Sequence, residues 1–338
     1  MGDTYKNIFL RFLKFGALAW GGPVAQIGMI REELVAREGW IAPEKFNRVL
    51  ALYQALPGPE AHELCVYFGM VRGGRWGGFL AGLGFMLPGF VLILLLAWAY
   101  TVFGAAGLLP LFAGAAPPVT AMIVRALHRI GAHALRTRGL WVAAFAGAGM
   151  ALLLPQGGGG AAATATSEGL LGEGLKAGLL SFGGAYTALP FLRAGMVDVY
   201  DGVTAQAFVD GLALASVIPA PTVIFGTFLG FLADGFIGAV LVTVGIFTPA
   251  FAFTLVGHEY LEKAVDDKRL HGALDVIAAT VVGVLAVTAG QIAAQTLDNV
   301  WAAGLCAAAM LVLYAWRSVW AVPVVVMGGL MAGWVLPL

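Results

Sequence analysis

The chain alternates long apolar runs with short interruptions of glycine and proline, and polar loops are few. Ile8–Trp20 and Pro23–Val35 are two apolar pieces hinged at Gly21-Gly22, and Glu44–Leu56 and Pro59–Val71 are two more, hinged at Pro57-Gly58-Pro59. Each piece reads as a half-length helix, since thirteen residues rise only about 20 Å. A continuous run follows at Gly77–Phe103, with a kink expected at Pro88. A charge-free turn at Gly104–Gly107, a helix over Leu108–Val124 and another over Leu140–Pro155 complete the first part. After the Gly/Ala-rich stretch Gln156–Ser167 the plan repeats: Leu170–Phe182 with Ala185–Val197, Gln206–Ile218 with Pro221–Ala233, then Gly235–Val256, Ala273–Thr296, Trp301–Arg317 and Val319–Leu338. Runs of about 20 apolar residues cross a hydrocarbon core. The fold class expected is therefore an all-α, polytopic integral membrane protein.

The repetition is in register. Leu13, Lys14, Gly16, Leu18, Gly21, Gly22 and Arg31 recur 162 positions later as Leu175, Lys176, Gly178, Leu180, Gly183, Gly184 and Arg193. Phe46, Leu50, Pro57 and Pro59 recur as Phe208, Leu212, Pro219 and Pro221. Pro88 and Pro249 correspond after one deletion. Residues 1–155 are thus one membrane repeat, 156–168 a flexible linker, and 169–338 a second repeat with one extra C-terminal span.

Charge orients the halves. In the first, the loops at 31–48, 72–75 and 125–138 are basic and the turn at 104–107 is neutral; in the second, the counterparts of the basic loops are poor in Lys and Arg, while His258–His271 carries Lys263, Lys268 and Arg269. Positive charge stays on the cytoplasmic side, so the repeats are inverted and the N-terminus is cytoplasmic, in a cell inner membrane. A cytoplasmic 31–48 loop favours re-entrant hairpins for the broken pairs. No cleavable leader is expected, because GGP breaks the first apolar stretch. Only 11% of residues are charged and the formal net charge is zero, so the bilayer is the expected partner and nucleic acid is not. Cys65 and Cys306 offer no metal or disulfide framework, and no cofactor is implied. A homodimer is compatible with this reading.

Broken helices at matching positions of two halves mark transport sites. A half-helix starting at membrane depth presents free N–H groups and partial positive charge, which suits an anion. The candidate substrate residues are therefore those of the four breaks and the neutral donors beside them: Gly21, Gly22, Pro23, Gln26, Gln54, Pro57, Gly58, Pro59, Ser181, Gly183, Gly184, Ser216, Pro219, Pro221 and Thr222. The bland alternative is close packing of small residues. Glu60, His62 and Glu63 follow directly on a prolyl turn. Ionisable groups at membrane depth suggest proton coupling or gating, although Glu60 also fits a helix-capping role. Lys14, Arg31, Lys176 and Arg193 flank the breaks and suit either snorkelling or an electrostatic vestibule for anions. The cluster His128–Arg138 reads as topology signal.

WGGPVAQIG (Trp20–Gly28), LPGPEAHELCVYFG (Leu56–Gly69), FMLPG (Phe85–Gly89), SFGGAYTALP (Ser181–Pro190) and the run Gly211–Gly230 together resemble the chromate ion transporter family in its long, two-domain form. The resemblance covers nearly the whole chain. It implies chromate efflux driven by membrane energy, with sulfate as the natural lookalike. This chain departs from the family pattern at Trp20, where Phe is usual, at His62 and Glu63, where Gln is frequent, and at Pro219-Ala220-Pro221, where a second PGP is common. These departures touch the side-chain filter more than the backbone. The rival readings are proton-coupled uptake of sulfate or a related oxyanion, a membrane-embedded enzyme using Glu60 and His62, and a sensor. The enzyme lacks a nucleophile–base pair or metal-ligand spacing in sequence, and the sensor lacks a long polar output segment.

Overall fold

The computed structural model describes residues 4–20, 22–153, 166–182, 184–197, 199–257, 268–316, 318 and 320–336. Those residues are all-α, with one isolated bridge between Pro57 and Phe182 and no strand among them. Gly21, Gly183 and most of the expected linker lie outside the described residues. Glu60–Phe103, Thr222–Leu255 and Gly272–Thr296 are each helical, apolar and long enough to cross a bilayer. The protein is an integral membrane protein.

The helices are α1 (Tyr5–Ala17), α2 (Gly22–Ile30, continued by a wide π-turn over Arg31–Arg37), α3 (Pro43–Ala55), α4 (Glu60–Ala134), α5 (Arg138–Leu153), α6 (Ser167–Leu179), α7 (Leu189–Met196), α8 (Ala205–Ser216), α9 (Phe225–Leu255), α10 (Lys268–Thr296), α11 (Val300–Ala315) and α12 (Ala321–Ala332). α4 is not one straight rod. Gly74 takes φ +61°, the left-handed region open to glycine, and beyond it the chain doubles back so that Gly69 and Gly77 touch backbone to backbone. α9 is built the same way: Asp234 and Gly235 break the helix, and Gly230 meets Gly238. α4 reverses again between Tyr100 and Phe112. Their rings lie 5.5 Å apart, whereas twelve residues of straight helix would separate them by about 18 Å. The turn expected at 104–107 falls inside that interval, although the residues themselves are helical.

The broken pairs are hairpins. Arg11 of α1 pairs with Glu38, which follows the π-turn, and Trp40 lies under the guanidinium groups of both Arg11 and Arg72. Glu38 could not reach Arg11 if α2 continued away from α1. α3 likewise returns along the start of α4, where Phe46 and Trp40 meet Phe68 and Tyr53 meets Tyr67. In the second half Glu173 of α6 packs on Gly195 of α7, and Phe208 of α8 on Phe225.

Matched positions make matched contacts. Gly16 rests on the Phe85 carbonyl and Gly178 on that of Ile246; Gly84 meets Phe9 and Leu13, and Gly245 meets Leu171 and Leu175. Membrane helices gain little from water exclusion against each other, so such close backbone approach is how they bind. The matched spanning segments cross antiparallel, with Gly78 beside Leu255 and Gly82 beside Phe251.

Three expected helices differ in detail. After the breaks of the second half the chain first takes a tighter 3₁₀ turn, at Ala185–Ala188 and at Thr222–Ile224, before α7 and α9 begin. The Thr187 hydroxyl donates to the Gly184 carbonyl at 2.7 Å and holds the first of these. The final run, expected to span over Val319–Leu338, is helical only over Ala321–Ala332 and closes at Gly333. Twelve residues make about 18 Å, too short to cross alone.

Candidate functional site

The four breaks meet crosswise, each first break of one half against the second break of the other. The Gly58 N–H donates to the Ser181 carbonyl at 3.0 Å, joining the Pro57-Gly58-Pro59 turn to the break of the third hairpin. At the matched junction no such bond stands among the described residues. There the Gln26 amide, buried at 1% exposure, donates from Nε2 to the carbonyls of Ala19 (2.9 Å) and Ala220 (3.2 Å). Two acceptors around one atom fix the amide orientation, and Oε1 is left without a hydrogen-bond partner among the described residues.

A cavity of about 580 Å³ opens beside the Gln26 junction. Gly22 and Pro23 line it from the first break, Tyr186 from the third, and Ser216, Ala220 and Thr222 from the fourth. The short turns that open the two second-half breaks, Ala185–Ala188 and Thr222–Ile224, lie against each other. The opposite wall is the last segment of α4, which contributes Met122, Arg125, His128, Arg129 and His133. His128 reaches the Tyr314 hydroxyl of α11 at 2.7 Å through Nδ1 and closes one side. No acidic residue lines the cavity among the described residues. Its charged side chains are all cationic or imidazole, and the rest of its polar lining is hydroxyl.

The predicted residues divide accordingly. Gly22, Pro23, Ser216 and Thr222 reach the cavity wall, with Gln26 at its edge through Ala220. Pro57, Gly58, Pro59 and Ser181 form the opposite, bonded junction instead. Gly184 adopts φ +122° at its break, and Pro219 and Pro221 are buried in theirs, without lining the cavity. Gln54 is exposed and apart from it. Arg31 and Arg193 stack over Phe46 and Phe208, 5.9 and 5.8 Å from the ring centres. They repeat one packing device rather than face the cavity. Lys14 is exposed on α1, and Lys176 pairs with Glu173 at 2.7 Å.

Glu60, His62 and Glu63 are all buried at the first turn of α4. The His62 ring lies 4.8 Å from both Phe247 and Phe251 of the other half. Glu63 and Ala250 both sit against Gly58, and neither the Glu63 oxygens nor the His62 nitrogens meet hydrogen-bond geometry with a described residue. Glu60 and Glu63 act on each other electrostatically, and Arg129 is the cation that acts on Glu60.

Sequence reasoning passed over the α4 cations. Arg125, Arg129 and His133 recur every fourth residue and so share one helix face. That stripe was visible in the sequence, but loop charge of the same sign served equally well as a topology marker.

Comparison with known proteins agrees with the geometry. The profile of the family described as chromate transporter matches the chain in two parts, residues 6–164 and 169–334. A chromate transport protein of Pseudomonas aeruginosa is 45% identical, over 98% of this chain and 92% of its own length. One from Cupriavidus metallidurans is 30% identical over 86% of this chain and 81% of its own. Two uncharacterized transporters of Bacillus subtilis align with only 41% and 43% of this chain, which is 70% and 82% of their own lengths. No solved structure matches. A membrane protein whose helix breaks converge on an acid-free cavity, and which the profile covers from Lys6 to Trp334 almost without interruption, belongs to the chromate transporter family.

Proposed function

We propose that this transporter exports chromate from the cytoplasm, with the membrane potential as sufficient drive. One observation carries the reading: breaks from both sequence halves line one cavity, which has no acidic lining among the described residues. The antiparallel packing of matched helices supports an inverted repeat, the architecture that alternates access around a fixed site. Arg125, Arg129 and His133 line the cavity from the end of α4, which the positive-inside rule puts toward the cytoplasmic side. A cavity open to the cytoplasm loads substrate for export.

Energetics agree with that direction. Each charge crossing 100 mV is worth about 2.3 kcal/mol, so a dianion leaving a negative interior gains about 4.6 kcal/mol. Uptake of the same ion needs at least two protons to cancel its charge. The buried group Glu60, His62 and Glu63, placed where the halves touch, is our candidate for gating or for modulating transport by protons.

The test is chromate flux in proteoliposomes with potential and pH gradient clamped separately. Efflux in the physiological sense should follow the potential with no pH gradient present. Flux that requires a proton gradient and ignores the potential, or that moves sulfate but not chromate, would overturn the reading in favour of proton-coupled oxyanion uptake.

A further inference from the structure

We propose that the substrate anion is held by side chains, the guanidinium groups of Arg125 and Arg129, more than by the helix ends at the breaks. This deepens the transport reading above and rests on it for the identity of the anion. The two arginines stand one helical turn apart on the cavity face of α4. Like charges at that spacing repel each other, and among the described residues no carboxylate lines the cavity between them. An anion lying between them turns that repulsion into attraction. Tyr186 lines the same cavity from the third break, so the space between α4 and the breaks is where the two guanidinium groups and the second-half donors share a ligand.

The chemistry selects the ligand class. A guanidinium presents paired donors in a plane that matches two oxygens of an oxyanion, and it keeps its charge at every physiological pH. Two of them balance a divalent tetrahedral oxyanion and overcompensate a monovalent one. The hydroxyls of Tyr186 and Thr222 supply neutral donors from the second half, while that of Ser216 donates to the Leu212 carbonyl. The charge comes from one half and the neutral donors from the other, so the bound anion bridges them. The helix ends contribute less than the sequence suggests, because the second-half breaks open with 3₁₀ turns rather than α-helical ones.

The test is equilibrium binding of radiolabelled chromate and sulfate to the purified, full-length protein in detergent. Arg125→Gln and Arg129→Gln should each weaken chromate binding at least tenfold, Arg→Lys should restore part of it, and raised salt should weaken binding to wild type more than to either Gln variant. Gln variants that bind chromate as wild type does would overturn the proposal. If wild type binds sulfate but not chromate, and the Gln variants lose sulfate, the arginine site stands and the chromate reading falls. Should the Gln variants aggregate, wild type suffices. Chromate, or whichever divalent oxyanion binds, should protect Arg125 and Arg129 from phenylglyoxal while exposed Arg75 reacts unchanged. Equal modification with and without the ion would overturn it.

Discussion

At the scale of single residues, Glu60 is the buried carboxylate whose charge reaches the cavity through Arg129. It is buried beside Glu63 and acts on Arg129 from outside the cavity lining. When ionised it competes with a dianion for the field of Arg129; when protonated it does not. Chromate efflux at a fixed potential should therefore rise as pH falls, over about pH 5 to 8, the range that buried carboxylates reach. Glu60→Gln is neutral throughout and should give a high, flat profile while keeping its voltage dependence. Flux measured across that range checks this, and a slope that survives in the variant would mean that another group, or the transported ion itself, carries the titration. Arg125 and Arg129 show what the sequence leaves open at this scale. A run of basic residues between apolar segments satisfies the positive-inside rule wherever its side chains point, and only the fold shows that three of them face inward on one stripe.

Elements were more legible. The hinges at Gly22, Pro57–Pro59, Gly184 and Pro219–Pro221 stand where glycine and proline predict them, because those residues permit or impose non-helical backbone. What the pattern could not show was how each element begins. The 3₁₀ turns at Ala185 and Thr222 depend on tertiary context and, at the first, on the hydroxyl of Thr187. The helical hairpins of α4 and α9 depend on Gly69 against Gly77 and Gly230 against Gly238. A side chain at Gly69 or Gly230 would strike the facing backbone, and overpacking of this kind costs about 1–3 kcal/mol. Gly69→Leu and Gly230→Leu should each lower the melting temperature in detergent by several degrees. Gly304→Leu, on open surface of α11, should leave it unchanged. Equal melting of all three would mean that the hairpins are held elsewhere.

For the whole molecule, the register of 162 positions, shortened by one after the second break, predicts which helices correspond, and the recurring contacts of Gly16 and Gly178 and of Gly84 and Gly245 fall on that register. It could not reveal that the breaks meet crosswise, since that depends on packing between the halves. Orientation follows as a prediction. Arg75 and Phe236 are matched positions just past the Gly74 and Gly235 turns, and both are exposed. In a background lacking Cys65 and Cys306, Arg75→Cys should react with an impermeant thiol reagent from the cytoplasmic face and Phe236→Cys from the opposite face. Labelling of both from one face would exclude an inverted arrangement.

The unequal junctions have a consequence for inheritance. One is tied through the main chain, from Gly58 to Ser181, and the other through the amide of Gln26, whose matched position in the second half is Ala188. In a transporter assembled from two copies of a half-length chain, every mutation appears at both junctions, so neither can change alone. Joining the halves in one chain removes that constraint. A codon change at position 26 alters one seam of the molecule and leaves the other as it was, and the two faces of the membrane can then be selected for different behaviour.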